Sequence, residues 1–467
     1  MLKRAGETIN RIFRIAVLIL VSAQVLVGCV WGFVNCGILQ NFPDTAELVT
    51  LSGTLNLTGD TGILYPALLI VVRALTARGP VKFYHVMYLL QIVLAFVSWF
   101  IFAGNVFKSD SKKRNAFFAL AVITNPYAMQ VHLAVLEYSF ISSFLSLLVS
   151  FQIRFMREWK NAEDTLGLER ALRDISVTSL FWLLAGLTRK EFIVLGVLPV
   201  IALLITIVKR FAKVKAKVSQ TVWPAIVALA FAGIICMSDS LFRDTERISA
   251  ADTVKRNLYY RVAWSENFRD RYHWPEYLTE FVDDGMMTHF MNDPGLVRGE
   301  FTKYVIDVYG SKETTEKFYE WAKLSFAGNK KQIVKETLSD IFGYIFAPFK
   351  TERSLAGYGD AGFTAGNYDV MKQHAPKLTK VYLRYFSVLY TVFAVLFVLI
   401  EVFTNAKRYK KAFTLLLPVL MIVLFGAVHY SFLGCSVFDH RKVVFTTCLW
   451  MTLGTYPFVT VSRKSEL

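Results

Sequence analysis

Runs of roughly 20 mainly apolar residues recur along this chain, and about that length crosses the hydrocarbon core of a bilayer as a helix. The pattern predicts ten such spans, near 13–34, 84–106, 115–130, 133–154, 173–188, 191–208, 220–238, 382–404, 413–431 and 443–460. Several are short or interrupted by polar residues. Two segments between them read differently. In residues 35–83, positions 44–55 are apolar or small at helical spacing, after Pro43 and Asp44 as a cap. Residues 63–77 form an apolar helix too brief to span, placed at the interface or dipping into the membrane. The other segment, 239–381, mixes acidic, basic and aromatic residues, with helical stretches near 276–290, 296–310, 313–326 and 330–345. The expected fold class is therefore an all-α polytopic membrane protein: an N-terminal transmembrane module (1–238), a mostly helical extracytoplasmic domain (239–381) and a C-terminal transmembrane module (382–467). The Gly-rich stretch 356–369 is a loop or re-entrant turn. It does not end in Gly-Lys-Ser/Thr, so it is not a phosphate-binding loop of that type. No internal repeat of the kind found in many transporters is evident.

Composition supports this reading. Of the 467 residues, 54% are hydrophobic and only 19% charged, which excludes an ordinary soluble enzyme and a disordered basic chain. The net charge of +16 would suggest nucleic acid if read as a sum; its placement argues otherwise. Lys3, Arg4, Arg11 and Arg14 open the chain, and Lys108, Lys112, Lys113 and Arg114 follow the second span. Arg154, Arg157, Lys160, Arg170 and Arg173 follow the fourth, Lys209 to Lys217 the sixth, Lys407 to Lys411 the eighth, and Arg463 and Lys464 the tenth. With ten spans, every cluster falls on one side, which the positive-inside rule makes cytoplasmic, together with both termini. The first apolar stretch reads as a retained helix rather than a cleaved signal. Cys29, Cys36, Cys236, Cys435 and Cys448 show no metal-ligand spacing and read as apolar fillers, with one bridge among Cys36, Cys236 and Cys435 as the alternative. Asn56-Leu57-Thr58 matches a glycosylation acceptor, relevant only in a secretory compartment.

Candidate chemistry gathers on the predicted outer side. Asp44 follows the first span, with Glu47 three residues on along the same helix face. Asp44 either caps the short helix or takes a proton from an acceptor hydroxyl. Arg189-Lys190 lies between the fifth and sixth spans, on the side that should be poor in basic residues. There the pair either holds a lipid phosphate or is neutralised by Glu191. Asp439-His440-Arg441-Lys442 precedes the last span, and Arg441 or Lys442 suits a phosphate or pyrophosphate. His132 and Glu137 sit around the outer start of the fourth span, where an ionisable group points to function. Arg269, Arg271, His273 and Trp274 join positive charge to an aromatic face in the outer domain, a weak signal for a sugar phosphate.

The stretch from Pro43-Asp44 through Glu47 to Leu64-Tyr65-Pro66 resembles the first outer loop of the polytopic GT-C glycosyltransferases. In that superfamily an aspartate follows the first transmembrane helix, then short interfacial helices, then a Tyr-Pro element. Asn125-Pro126 with Glu137 looks like the third and fourth helices of bacterial members, and Arg441 like an arginine that opens a late helix. The resemblance covers most of the chain in layout through short motifs. It implies a GT-C-like bundle in a bacterial cytoplasmic membrane. The donor would be a sugar carried on polyprenyl phosphate or pyrophosphate. The acceptor would be a glycan, lipid, wall polymer or protein, glycosylated with inversion on the extracytoplasmic side. Asp44 would be the base, with Glu47 beside it. Arg189, Lys190, Arg441 and Lys442 would hold the carrier phosphate, and Tyr65, His132, Glu137, Arg269, Arg271, His273, Trp274 and His440 would line the substrate site. Some members use a divalent metal, but the first loop here has no paired-aspartate element, and Asp283-Asp284 is a poor substitute. The inserted domain, and the lack of a Trp-Trp-Asp motif, depart from an oligosaccharyltransferase. Two alternatives stand beside this reading: a transporter or flippase of a lipid-linked or anionic substrate, and a non-catalytic envelope assembly protein.

Overall fold

A computed structural model describes residues 2–35, 48–50, 62–77, 80–107, 110–161, 165–189, 302–345 and 381–386. It also describes short pieces at 192, 195, 226–227, 229–234, 236–237, 255, 258, 377–378, 392, 423–424, 426–427 and 448–449. The described residues are helical or in short turns, with no strand among them. Four stretches are long and apolar enough to cross a bilayer: Ile15–Val34, Phe83–Phe107, Glu137–Glu158 and Glu169–Thr188. They coincide with the first, second, fourth and fifth expected spans. Of the last five expected spans, 220–238 is described over about half its length, as helical pieces, and the other four lie wholly or largely outside the described residues.

Helix α1 (Leu2–Val34) shows how the sequence sets its packing. Val17, Val21, Gln24, Gly28 and Trp31 recur every three or four residues on one face, and all five are buried. Ile15, Ile19, Leu26, Val30 and Phe33 remain exposed, an apolar surface that suits lipid. At Gly28 a Cβ would meet the Thr124 carbonyl oxygen at 2.7 Å and the Tyr382 hydroxyl at 2.9 Å, so close approach requires glycine. Tyr382 belongs to a π-helical turn (Val381–Phe386); its hydroxyl donates to the Thr124 carbonyl at 2.5 Å, and its ring lies 5.0 Å from that of Trp31.

Helix α2 (Leu64–Leu75) has only 12 residues, about 18 Å of helix against a core of roughly 30 Å. Tyr65, Leu69 and Val72 face inward and Val71 and Leu75 outward, in keeping with the short apolar helix expected over 63–77. Helix α3 (Pro80–Phe107) starts on a proline, which the first turn accommodates without losing a hydrogen bond.

The third expected span, 115–130, is not one helix. It divides into α4 (Lys112–Ile123) and α5 (Pro126–His132). The break is written in Thr124-Asn125-Pro126. Thr124 Oγ1 donates back to the Leu120 carbonyl at 2.6 Å, Asn125 Nδ2 donates to the Val122 carbonyl at 2.7 Å, and Asn125 Oδ1 accepts from the Ala128 amide at 2.9 Å. Asn125 thus closes one helix and caps the next, while Pro126 has no amide to continue the ladder. Helices α6 (Glu137–Asn161) and α7 (Thr165–Thr188) follow. Buried Ser139, Ser142, Ser143, Ser146 and Ser150 give α6 a small-residue face that admits neighbouring backbones.

Specific contacts fix the helix directions. Gln24 of α1 donates to the Ala121 carbonyl, and Gly32 abuts Met129, so α1 runs parallel to α4–α5. Gln91 of α3 meets the His132 and Ala134 carbonyls, and Asn105 meets Ser150, so α3 runs parallel to α6. Arg154 pairs with Asp174, and Glu137 with Arg189, so α7 runs back along α6. The broken pair α4–α5 is therefore the return path between two parallel helices. The starts of α1, α4 and α7 share one end of the bundle with the tails of α3 and α6. Among the described residues, that end carries Lys112, Lys113 and Arg114 of α4, Arg154 and Arg157 of α6, and Arg170 and Arg173 of α7. There Arg154 grips Asp174 with two nitrogens and Asn105 Oδ1 with a third at 3.1 Å. Arg157 donates to the Asn105 and Val106 carbonyls at 2.7 Å, satisfying the tail of α3.

The chain divides into two compact units, and the second comprises 243–346 and 423–439. In it, α8 (Thr302–Tyr309) and α9 (Ser311–Ile345) meet at Gly310, whose φ of 78° is the left-handed value that ends α8. The expected helices 313–326 and 330–345 are one continuous α9 of 35 residues. Ala327-Gly328-Asn329 continues it as helix rather than breaking it. The expected stretch 276–290 lies outside the described residues.

Candidate functional site

The other end of the first unit gathers the starts of α2 and α6 and the tails of α5 and α7. Tyr65, His132, Glu137 and Arg189 all lie there. They are the four sequence candidates that fall among the described residues. Arg189 donates to Glu137 Oε1 at 2.9 Å and to the Tyr138 hydroxyl at 2.6 Å, and its guanidinium lies 5.0 Å from the Tyr138 ring centroid. Glu137 is 2% exposed and Arg189 19%, so the carboxylate is enclosed while the arginine reaches the end of the bundle. Glu137 also opens α6, where its negative charge lies at the positive end of the helix dipole. Arg189 thus has a neutralising partner in Glu137, 52 residues away; Glu191, the neutralising partner expected from the sequence, lies outside the described residues.

A second chain of hydrogen bonds sits alongside. Tyr65 Oη donates to Gln91 Oε1 at 2.8 Å. Gln91 Nε2 donates in turn to the carbonyls of His132 at 2.8 Å and Ala134 at 2.7 Å. One glutamine thus ties the Tyr-Pro element to the link between α5 and α6. Burial, reinforced by the negative charge of Glu137 and by Tyr88, holds the Tyr65 phenol well above its usual range, so it stays a donor. His132 is 1% exposed; its Nδ1 lies 2.8 Å from Ser139 Oγ, and its Nε2 has no hydrogen-bond partner. Burial pushes its imidazole down to about 4, so it is neutral near pH 7.

The first loop is fastened to this end on both flanks of residues 51–61. Leu48 is buried among Tyr65, Leu69, Val72, Phe83, Met87, Tyr88 and Val135. Arg73 donates to the Val49 carbonyl at 2.7 Å. On the other flank the Gly62 amide donates to the Thr188 carbonyl at 2.9 Å, one residue before Arg189. A Cβ on Gly62 would collide with the backbone of Leu187 and Thr188, so this junction admits only glycine.

Asp44, Glu47, Lys190, Arg269, Arg271, His273, Trp274, His440, Arg441 and Lys442 lie outside the described residues. Among the described residues no group of three or more His, Cys, Asp or Glu side chains could hold a metal ion. Cys236 is a free thiol, which removes it from the alternative of a bridge; Cys36 and Cys435 lie outside the described residues. Sequence reasoning passed over Gln91, Tyr138 and Ser139. For Gln91 a signal existed: it is the one strongly polar residue in the apolar run from Val86 to Val97, and a buried amide in such a run must find partners. Comparison with protein-family models, curated proteins and solved structures finds no match for this chain.

Proposed function

We propose that this chain is a membrane-embedded glycosyltransferase that takes a sugar from a polyprenyl phosphate or pyrophosphate carrier at the end of the bundle holding Tyr65, Glu137 and Arg189. The observation that supports it is convergence. Positions far apart in the chain, and chosen as chemistry-bearing from the sequence, meet at the end opposite the described basic residues of α4, α6 and α7. By the positive-inside rule that end is extracytoplasmic, where such carriers present their sugar. The loop that carries Asp44 is anchored there through Leu48, Val49 and Gly62.

The roles follow from charge. Departure of the carrier leaves negative charge on its phosphate, and a guanidinium held at the membrane surface stabilises it. Glu137 and Tyr138 orient Arg189 for that task, and Lys190, Arg441 and Lys442 are proposed to share it. Asp44 takes the proton of the acceptor hydroxyl as it attacks the sugar carbon, so the sugar–phosphate bond breaks with inversion. Ten spans, cytoplasmic termini and a GT-C arrangement belong to this proposal. The neutral, buried polar groups at the same end also suit passage of an anionic lipid, which is the competing transport reading.

The assay is direct. Purified protein in nanodiscs is given radiolabelled polyprenyl-phosphoryl sugars, and release of carrier phosphate is scored. Asp44→Asn should lower turnover by about 10²–10⁴-fold, the usual contribution of a general base. Full activity in Asp44→Asn would refute its role. No turnover with any donor, together with flipping of labelled lipid, would favour transport.

A further inference from the structure

The second half of α9 carries an exposed face that the proposed transfer does not use. Val334, Leu338 and Phe342 recur every four residues and are 47%, 48% and 59% exposed. Lys331, Lys335 and Ser339 are exposed as well. At about 100° per residue these six positions fall in one arc of roughly 140°. The acidic residues of the same stretch, Glu336 and Asp340, lie outside that arc, as does buried Ile333. The face is therefore apolar with lysines along it and free of carboxylates.

The end of this helix is tied to an apolar segment. Tyr344 is buried, and its ring and hydroxyl fill the space a Cβ would occupy at Gly426. Gly426 belongs to a run from Ala412 to Phe438 without one Asp, Glu, Lys or Arg, which the sequence reads as a membrane span. The last turn of α9 is thus held against a segment with the composition of a bilayer span. Apolar side chains at four-residue spacing with lysines beside them are the pattern of a helix lying in the headgroup region, its apolar face in the acyl boundary and its cations at lipid phosphates.

We infer that the Val334–Phe342 face of α9 rests on an anionic phospholipid surface, with Lys331 and Lys335 on the headgroups. Its apolar exposure is then a lipid contact, and the second half of α9 is interfacial. The inference rests on membrane insertion of the chain and is independent of the transferase reading.

The test places an environment-sensitive fluorescent amino acid at Leu338 in the full chain, reconstituted in phosphatidylglycerol-containing nanodiscs. Glu320, exposed in the first half of α9, serves as the reference position. The label at 338 should be quenched by doxyl-labelled lipid and be at least about threefold less quenched by aqueous iodide than the label at 320, as burial of an apolar face in the acyl boundary requires. Lys331→Glu with Lys335→Glu, or nanodiscs of phosphatidylcholine alone, should reduce the lipid quenching. Equal iodide quenching at both positions, without lipid quenching, would overturn the inference. So would protection from both quenchers, which would mean that protein covers the face. If labelling at 338 prevents folding, the same measurement at Val334 carries the same outcomes.

Discussion

Glu137 and Arg189 form an ion pair whose carboxylate is almost wholly enclosed. Removing one partner of such a pair leaves an uncompensated charge and typically costs about 3–5 kcal/mol. Glu137→Gln should therefore lower the thermal midpoint in detergent sharply, and Glu137→Gln with Arg189→Met should recover part of the loss. An unchanged midpoint in the single variant would mean that the pair is not enclosed. His132 makes a pH prediction. Its folded-state value of about 4 lies below the ordinary 6.5, so the unfolded chain binds the proton first as pH falls. Stability is complete above about pH 6.5 and declines as pH falls toward 4, by an amount on the order of 3 kcal/mol. His132→Gln should flatten that decline in a series of melts. Residues of this kind were legible in the sequence because a charge or imidazole in an apolar setting stands out. Their partners were not: nothing in the order of residues joins Arg189 to Glu137, 52 positions earlier, because that contact is made by α7 folding back along α6.

Among the elements, the close passage of α1 past Thr124 and Tyr382 is the most constrained. Gly28→Val should cost about 1–3 kcal/mol, the usual penalty for forcing extra carbon into a packed contact, whereas Gly233, with open space around it, should accept alanine without loss of stability. Melts of the two variants compare these sites directly. The same constraint holds at Gly62, nearer the proposed site. Gly62→Ala should break the contact of Gly62 with Thr188 and lower the thermal midpoint by an amount equivalent to about 1–3 kcal/mol, the usual penalty for forcing extra carbon into a packed contact. The long spans were legible because some 20 apolar residues in a row have few other fates. The break in the third was half legible, since Asn125-Pro126 stood out but its consequence was assigned to the following span. The continuity of α9 was obscured by Gly328, a residue that weakens a helix without being required to end it.

For the molecule as a whole, the direction of the helices carries the functional reading. Among the described residues, the basic side chains of α4, α6 and α7 lie at one end and the Tyr65, Glu137 and Arg189 group at the other; charge counting along the sequence points to the same separation for this part of the chain, because lysine and arginine accumulate on one side of a membrane. Assembly of the site was not readable, since it depends on long-range contacts such as Tyr65 with Gln91 and Gly62 with Thr188. The central claim is that this end of the bundle stabilises a departing carrier phosphate. Its most direct test is turnover of a polyprenyl-phosphoryl sugar by Arg189→Lys, which keeps the charge near Glu137 but loses the planar, multidentate grip. The expected result is a correctly folded protein with carrier release reduced by about 10²–10³-fold, the usual effect of losing one preorganised donor. Turnover equal to that of the wild type in the folded variant would contradict it.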